Sequence, residues 1–425
     1  MTRRQAFSHF REWDFPTAHS RSRAFRKGEF YFRYSSTYVV TSARVLDVGF
    51  YIAGRPEAAF LTGPGTRLEL RLFGLLPWGP SDAVDLVSSN AGVIVYDLQR
   101  RDVSGRRLQR GDTDLFQVED LSGQHRIDGT LGDQTVIYQL SRRTPVDPVF
   151  PFLKTASTGF RSSAISIADG QTTSVFGEMT EIPQDQLLSL RWNVSTFRPY
   201  GVDINPAAEH AVEQITIAAH VGGAAHGLFA SPAELAIFLI DPSSPDQDIE
   251  FVYGNHLPEW GLPILLNFSA YRLLYSLPGA APYDASPGII GIGQLSDFAE
   301  GLSVRISPAR NLTLNGVSAF EDQLDVGLNP ALAWDSPEIG APTHYRLSFF
   351  ELLVDAQNHT QRRFGPRIYT QSTSVIIPPG VLEFGKAYYA TLDAVDSPGA
   401  EATRAPLIYS IPEMTAQTAT GIFRP

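Results

Sequence analysis

Thr66-Arg67-Leu68-Glu69-Leu70-Arg71-Leu72 alternates polar or charged with apolar side chains at a period of two. Successive side chains of a strand point to opposite faces, so this stretch predicts a half-buried strand with its leucines inward. The same reading extends to 93–96, 135–140, 188–194, 215–219, 235–240 and 345–353. These runs are short, rich in β-branched and aromatic residues, and bounded by Gly, Pro, Asn and Asp. Helical patterns are few. Residues 205–210 read as one turn, and Ser231-Pro232-Ala233-Glu234 as another, with Ser as cap and Pro at the first helical position. The expected class is all-β.

At 425 residues the chain is long enough for two to four domains. Three segments stand out, at 28–145, 150–300 and 304–425, behind a basic N-terminal arm at 1–27 (Arg3, Arg4, Arg11, Arg21, Arg23, Arg26, Lys27). The first segment closes at the proline-spaced linker Arg142-Arg143-Thr144-Pro145-Val146-Asp147-Pro148. Each segment has enough strands for an antiparallel two-sheet sandwich with its own core. The expectation is three consecutive β-sandwich domains.

Composition narrows the function classes. A hydrophobic fraction of 43%, with 26 Phe, 16 Tyr and 5 Trp, is too high for a disordered chain. No apolar run approaches the roughly 18 residues of a membrane span. The net charge of −11 repels polyanions, so nucleic acid is not an expected partner. Of 34 basic residues only Lys27, Lys154 and Lys386 are lysines. That bias is the mark of a GC-rich coding sequence, and secondarily of bidentate recognition of an acidic ligand. There is no Cys, which excludes disulfides, thiolate metal sites and Cys nucleophiles. Residues 1–27 lack the apolar core of a secretory signal. An extracellular or cell-surface location is nevertheless the expectation, since a Cys-free chain suits an oxidising exterior.

The third segment carries a more specific pattern. Leu332-Ala333-Trp334 is followed by the proline-bearing loop 336–342 and by the alternating His344-Tyr345-Arg346-Leu347-Ser348-Phe349. Leu382-Glu383-Phe384-Gly385-Lys386-Ala387-Tyr388 places Leu, Gly and Tyr at the spacing of a tyrosine corner, and Tyr388, Ala390, Leu392 and Ala394 continue at period two. With these residues, 304–425 resembles a fibronectin type III module. The resemblance implies a sandwich in which Trp334, Leu382, Gly385 and Tyr388 are structural and the Tyr388 hydroxyl bonds back to nearby backbone. More loosely, the whole chain resembles uncharacterised multidomain exported proteins of soil bacteria, which implies no activity.

Candidate sites are sparse. His220 and His226 flank Val221-Gly222-Gly223-Ala224-Ala225, a turn able to bring two imidazoles together, but their spacing matches no ligand motif. Asp241, Asp246 and Asp248, with Glu250, offer oxygens for calcium in a loop that two prolines and a missing Gly separate from an EF-hand. Asp112, Asp114, Glu119 and Asp120 are a similar set. Solvated acidic loops account for both more simply, so no cofactor is expected beyond that calcium option. Arg100, Arg101, Arg106, Arg107 and Arg110 could meet a sulfated or uronic-acid polymer, although interspersed Asp residues favour a salt-bridged hairpin face. Trp78 and Trp260, each beside Pro and Gly, could stack on sugars or plug a sandwich end. No Gly-x-Ser-x-Gly elbow is present, and Gly288-Ile289-Ile290-Gly291-Ile292-Gly293 lacks the helix a dinucleotide turn needs. The leading expectation is a non-catalytic structural or adhesive protein that self-assembles through strand edges and its arm, with other copies or surface proteins as partners. A carbohydrate-binding protein comes second, and a hydrolase with its site in the second segment third.

Overall fold

The computed structural model describes residues 30–43, 45–47, 54–55, 57–79, 81–100, 113–143, 152–220 and 232–425. The arm 1–27, Arg101, Arg106, Arg107, His226 and most of the 142–148 linker therefore lie outside the described residues. Strands account for 50% of the protein and helix for 6%, so the class is all-β.

The first segment carries β1 (Phe30–Tyr34), β2 (Thr37–Thr41), β3 (Arg67–Phe73), β4 (Ala83–Ser88), β5 (Val93–Val95), β6 (Gln99–Arg100), β7 (Thr113–Val118) and β8 (Thr135–Arg143). The second carries β9 (Phe152–Ser162), β10 (Thr172–Glu178), β11 (Thr180–Glu181), β12 (Gln186–Trp192), β13 (Glu209–Ala219), β14 (Ala233–Ile240), β15 (Gln247–Tyr253), β16 (Ile264–Tyr275), β17 (Tyr283–Ala285) and β18 (Gly288–Gln294). The third carries β19 (Arg310–Leu314), β20 (Val317–Ser318), β21 (Ala331–Asp335), β22 (His344–Val354), β23 (Thr360–Thr370), β24 (Ser374–Ile376), β25 (Ala387–Asp396) and β26 (Glu413–Ala419). In β3 the leucines 68, 70 and 72 are buried while Arg67 and Arg71 are exposed, the alternation its sequence dictates.

One 16-stranded sheet runs in the order β1-β2-β23-β22-β25-β26-β18-β16-β13-β14-β9-β8-β4-β5, with β11 beside β9 and β17 beside β16. Smaller sheets complete the layers, in the orders β10-β3-β7-β6, β12-β15 and β20-β19-β21-β24. Hydrogen bonding crosses both segment boundaries. β8 pairs with β9 from Thr135↔Ser162 to Arg143↔Leu153, and β18 pairs with β26 from Ile289↔Ala416 to Ile292↔Glu413.

The interior follows the same pattern. A smaller core, from Leu61 to Met179, lies under β3 and β7, but most buried side chains of the second and third segments share one large cluster, and a smaller one around Tyr275, Phe350 and Tyr389 also draws on both. β4 is buried throughout because it serves both cores. Ala83 and Val87 enter the larger, Val84 and Leu86 the smaller.

In the third segment, Trp334 packs edge-on against Tyr345 with ring centroids 5.2 Å apart. Leu382 is buried, and the Glu383 N–H donates to the Tyr388 hydroxyl at 3.1 Å. Gly385 sits at φ 79°, a left-handed backbone that a side chain would strain. Tyr388, Ala390, Leu392 and Ala394 all enter the large core.

Two local readings need correction. Ala233 and Glu234 open a strand, not a helical turn, because pairing of Ala233 with Ala219 and of Ala236 with Thr155 outweighs the weak Ser-Pro start signal. Residues 30–41 do not join the first segment. Their hairpin lies on the third, where β2 runs parallel to β23 through Thr37↔Arg367, Tyr38↔Ile368 and Val39↔Tyr369. The Tyr31 hydroxyl adds a 2.6 Å hydrogen bond to the Ile376 carbonyl. This hairpin covers the β23 edge, whose bare N–H and C=O groups would otherwise invite another strand. Among the described residues, no helix is long and apolar enough to cross a membrane.

Candidate functional site: a cleft on the sheet face

The inward side chains of β22, β25 and β26 alternate with an outward set that is not plain solvent-facing surface. Register places Arg346 opposite Asp393 and Ser348 opposite Thr391, while Asp393 lies opposite Gln417 across the next strand pair. β18 extends this face with Ile290 and Ile292. Its glycines 291 and 293 turn inward, where a Cβ would come within 3.0 Å of the Met414 sulfur and 2.7 Å of Asp297. Residues 409–411 close one side and β23 the other. The result is a cleft of about 410 Å³ at the junction of the second and third segments.

Its floor is an ion pair. Arg346 Nε donates to Asp393 Oδ2 at 2.7 Å, and Glu413 Oε1 lies 3.8 Å from Arg346 Nη1. The Asp393 side chain is 3% exposed. Burial works against the Arg346 charge, but the two carboxylates outweigh it and hold the guanidinium protonated. Burial raises Glu413 above the ordinary carboxylate range, with Arg346 opposing. Gln417 Nε2 donates to the second Asp393 oxygen at 3.0 Å, which fixes the carboxylate from both sides.

The wall is aromatic and cationic. Phe350 lines it and is backed by the buried Tyr389 and Tyr275, which stack behind it with centroids 4.7 and 4.1 Å apart. The Arg362 guanidinium lies 5.1 Å from the Phe350 ring centroid and 4.8 Å from that of Phe364. Phe364 is 62% exposed, an unusual position for a phenyl ring at the rim of a cleft. Arg362 and Arg367 both line the cleft, and neither forms a salt bridge among the described residues.

Two other polar clusters compete for attention. In the second segment, His210 Nε2 lies 2.7 Å from Glu213 Oε1 and 3.0 Å from Ser269 Oγ, and Ser269 Oγ donates to Glu213 at 2.6 Å. A nucleophile triad needs serine and acid on opposite imidazole nitrogens. Here both share Nε2, and Ser269 and Glu213 are wholly buried. Beneath β4, Asp85 is 1% exposed and accepts from the Asp97 N–H at 2.8 Å. Its second oxygen and the Tyr138 hydroxyl approach without closing a good hydrogen bond. Burial pushes Asp85 up to about 6 and Glu234 up to about 7, and the Asp85 charge adds to the rise of Glu234. No substrate reaches an aspartate so enclosed.

The residues singled out in sequence do not converge. Asp241 accepts from its own loop at the Ser243 N–H (2.7 Å), Asp246 from Ser195 N–H and Oγ (2.8 and 2.9 Å), and Asp248 pairs with Arg191 at 2.9 Å. Asp120 accepts from the Ser122 N–H at 2.8 Å. His220 is buried at the end of β13. Among the described residues, no group of three or more His, Asp or Glu could hold a metal ion. Trp78 packs on Phe116 at 5.5 Å, with Arg100 5.6 Å from its ring centroid, and Trp260 is 5% exposed. The cleft residues were missed because Arg346 and Asp393 belong together only through register. The available signal was the alternation of Ile290 and Ile292 with Gly291 and Gly293, whose two isoleucines face the cleft while Ile289 enters the core.

No protein-family model matches the chain, and no curated protein matches it.

Proposed function

We propose that the protein is a non-catalytic adhesive protein of the exported or cell-surface kind, built from three consecutive β-sandwiches joined edge to edge, with the cleft as its recognition surface. The observation that carries this is the β18–β26 pairing, which makes two units one stiff body and creates the cleft at their junction. The fibronectin type III reading of 304–425 is supported by a three-strand path β24-β21-β19 facing β23-β22-β25-β26, and by the Tyr388–Glu383 hydrogen bond at the corner. Carbohydrate binding is the second reading, favoured by the exposed Phe364 ring beside Arg362.

The test is to coat beads with the full chain and offer insoluble polysaccharides and matrix-type surface proteins. Saturable capture that is lost in Ile290→Trp, whose bulk fills the cleft, is expected. Progressive release of soluble fragments from the captured material would instead make the protein a hydrolase.

A further inference from the structure

The cleft has a chemical bias of its own. Arg362 and Arg367 project into it without salt-bridge partners among the described residues, whereas Arg346 already has Asp393 and Glu413. A guanidinium presents planar N–H donors that match a carboxylate or sulfate. Arg362 is held over Phe350 and Phe364, and its Nη1 donates a long 3.4 Å hydrogen bond to the Tyr389 hydroxyl, so the rings satisfy its face while Nε and Nη2 are left for a ligand. The exposed Phe364 ring offers a flat apolar surface, and Ser348 and Thr391 offer hydroxyl groups along the floor. Cations, one exposed ring and a hydroxyl-rich floor together fit a ligand that is anionic, ring-shaped and polyhydroxylated.

We propose that the cleft binds an acidic oligosaccharide, a uronate-bearing or sulfated chain, with its acid group on Arg362 and Arg367 and a sugar ring on Phe364. This rests on the carbohydrate reading of the same cleft and adds the charge class of the ligand. The overall charge of −11 does not oppose it at working salt, because screening over about 8 Å leaves the two local cations dominant.

The experiment is calorimetric titration of the full chain at 0.15 M salt with trigalacturonate, a chondroitin sulfate tetrasaccharide and neutral maltotriose. At least one acidic probe is expected to bind at least tenfold more tightly than maltotriose, and the two acids separate uronate from sulfate recognition. Arg362→Gln and Arg367→Gln should each weaken that binding about tenfold, and Phe364→Ala by a similar factor. Arg363→Gln removes a cation that pairs with Glu351 instead of lining the cleft, and should leave the affinity unchanged. All four positions are on the rim strand β23, so thermal melting can confirm that each variant is folded. Equal binding of maltotriose overturns the acidic preference while the carbohydrate reading stands. Binding of none of the three overturns both. Undiminished binding by the Arg362→Gln/Arg367→Gln double variant overturns the placement.

Discussion

Replacing Asp85 with Asn should stabilise the protein above neutrality and do little in acid. Asn keeps the acceptor for the Asp97 N–H, now held at 2.8 Å, and offers its amide to the Tyr138 hydroxyl on the side where Asp85 lacks a partner. The aspartate titrates near 3.8 when unfolded and is raised to about 6 when folded, with burial the leading cause. Below 3.8 both states are protonated and the native carboxyl costs nothing extra. Between 3.8 and 6 the unfolded chain releases a proton that the folded protein retains, so stability falls as pH rises. Above 6 the loss is complete, at about 3 kcal/mol from roughly 1.4 kcal/mol per tenfold in proton affinity. The Asn variant escapes this loss. Urea unfolding of both proteins should therefore show an advantage for Asn about 2–3 kcal/mol larger at pH 8 than at pH 4. A pH-independent difference would refute the reasoning, since it would mean that Asp85 titrates alike in both states.

Glu234, raised to about 7, should behave in the same sense, with Glu234→Gln gaining stability progressively between about pH 4.5 and 7 in the same urea assay. Asp393→Ala leaves the buried Arg346 only the more distant Glu413 carboxylate and should cost about 3 kcal/mol, whereas replacing all three charges together (Arg346→Met, Asp393→Leu, Glu413→Gln) should lie closer to wild type. Chemical denaturation of the single and triple variants decides between them. Tyr388→Phe loses only the hydrogen bond from Glu383 and should destabilise by about 1 kcal/mol in urea. Deleting residues 1–41 uncovers the β23 edge, and light scattering should then report a larger particle mass than for the intact chain.

The legible part of this molecule was local. In 66–72 the alternation of leucine with charge is enough to assign a strand and both of its faces, and the resemblance of 304–425 to a fibronectin type III module is what pointed Trp334, Leu382 and Tyr388 inward. What could not be read was which edge meets which. β18 and β26 are separated by more than a hundred residues, and edge pairing leaves no periodicity of its own, so the fusion of the second and third segments was invisible. The cleft depends on that fusion and was hidden with it. Loop tryptophans drew attention because Trp78 and Trp260 sit beside Pro and Gly. Yet such residues are also buried in cores, as Trp260 is, and the exposed ring at the site belongs to a phenylalanine inside a strand.

The hairpin of residues 30–41 has a consequence for biosynthesis. Thr37 pairs with Arg367, so the first described strands wait for a docking edge that leaves the ribosome some 330 residues later. At about 5–20 residues per second that delay is roughly 15–65 s. Throughout it Tyr38 and Val39, both buried in the finished protein, stay uncovered on the nascent chain. A holdase, or the equivalent edge of a neighbouring nascent chain, has that interval in which to capture them.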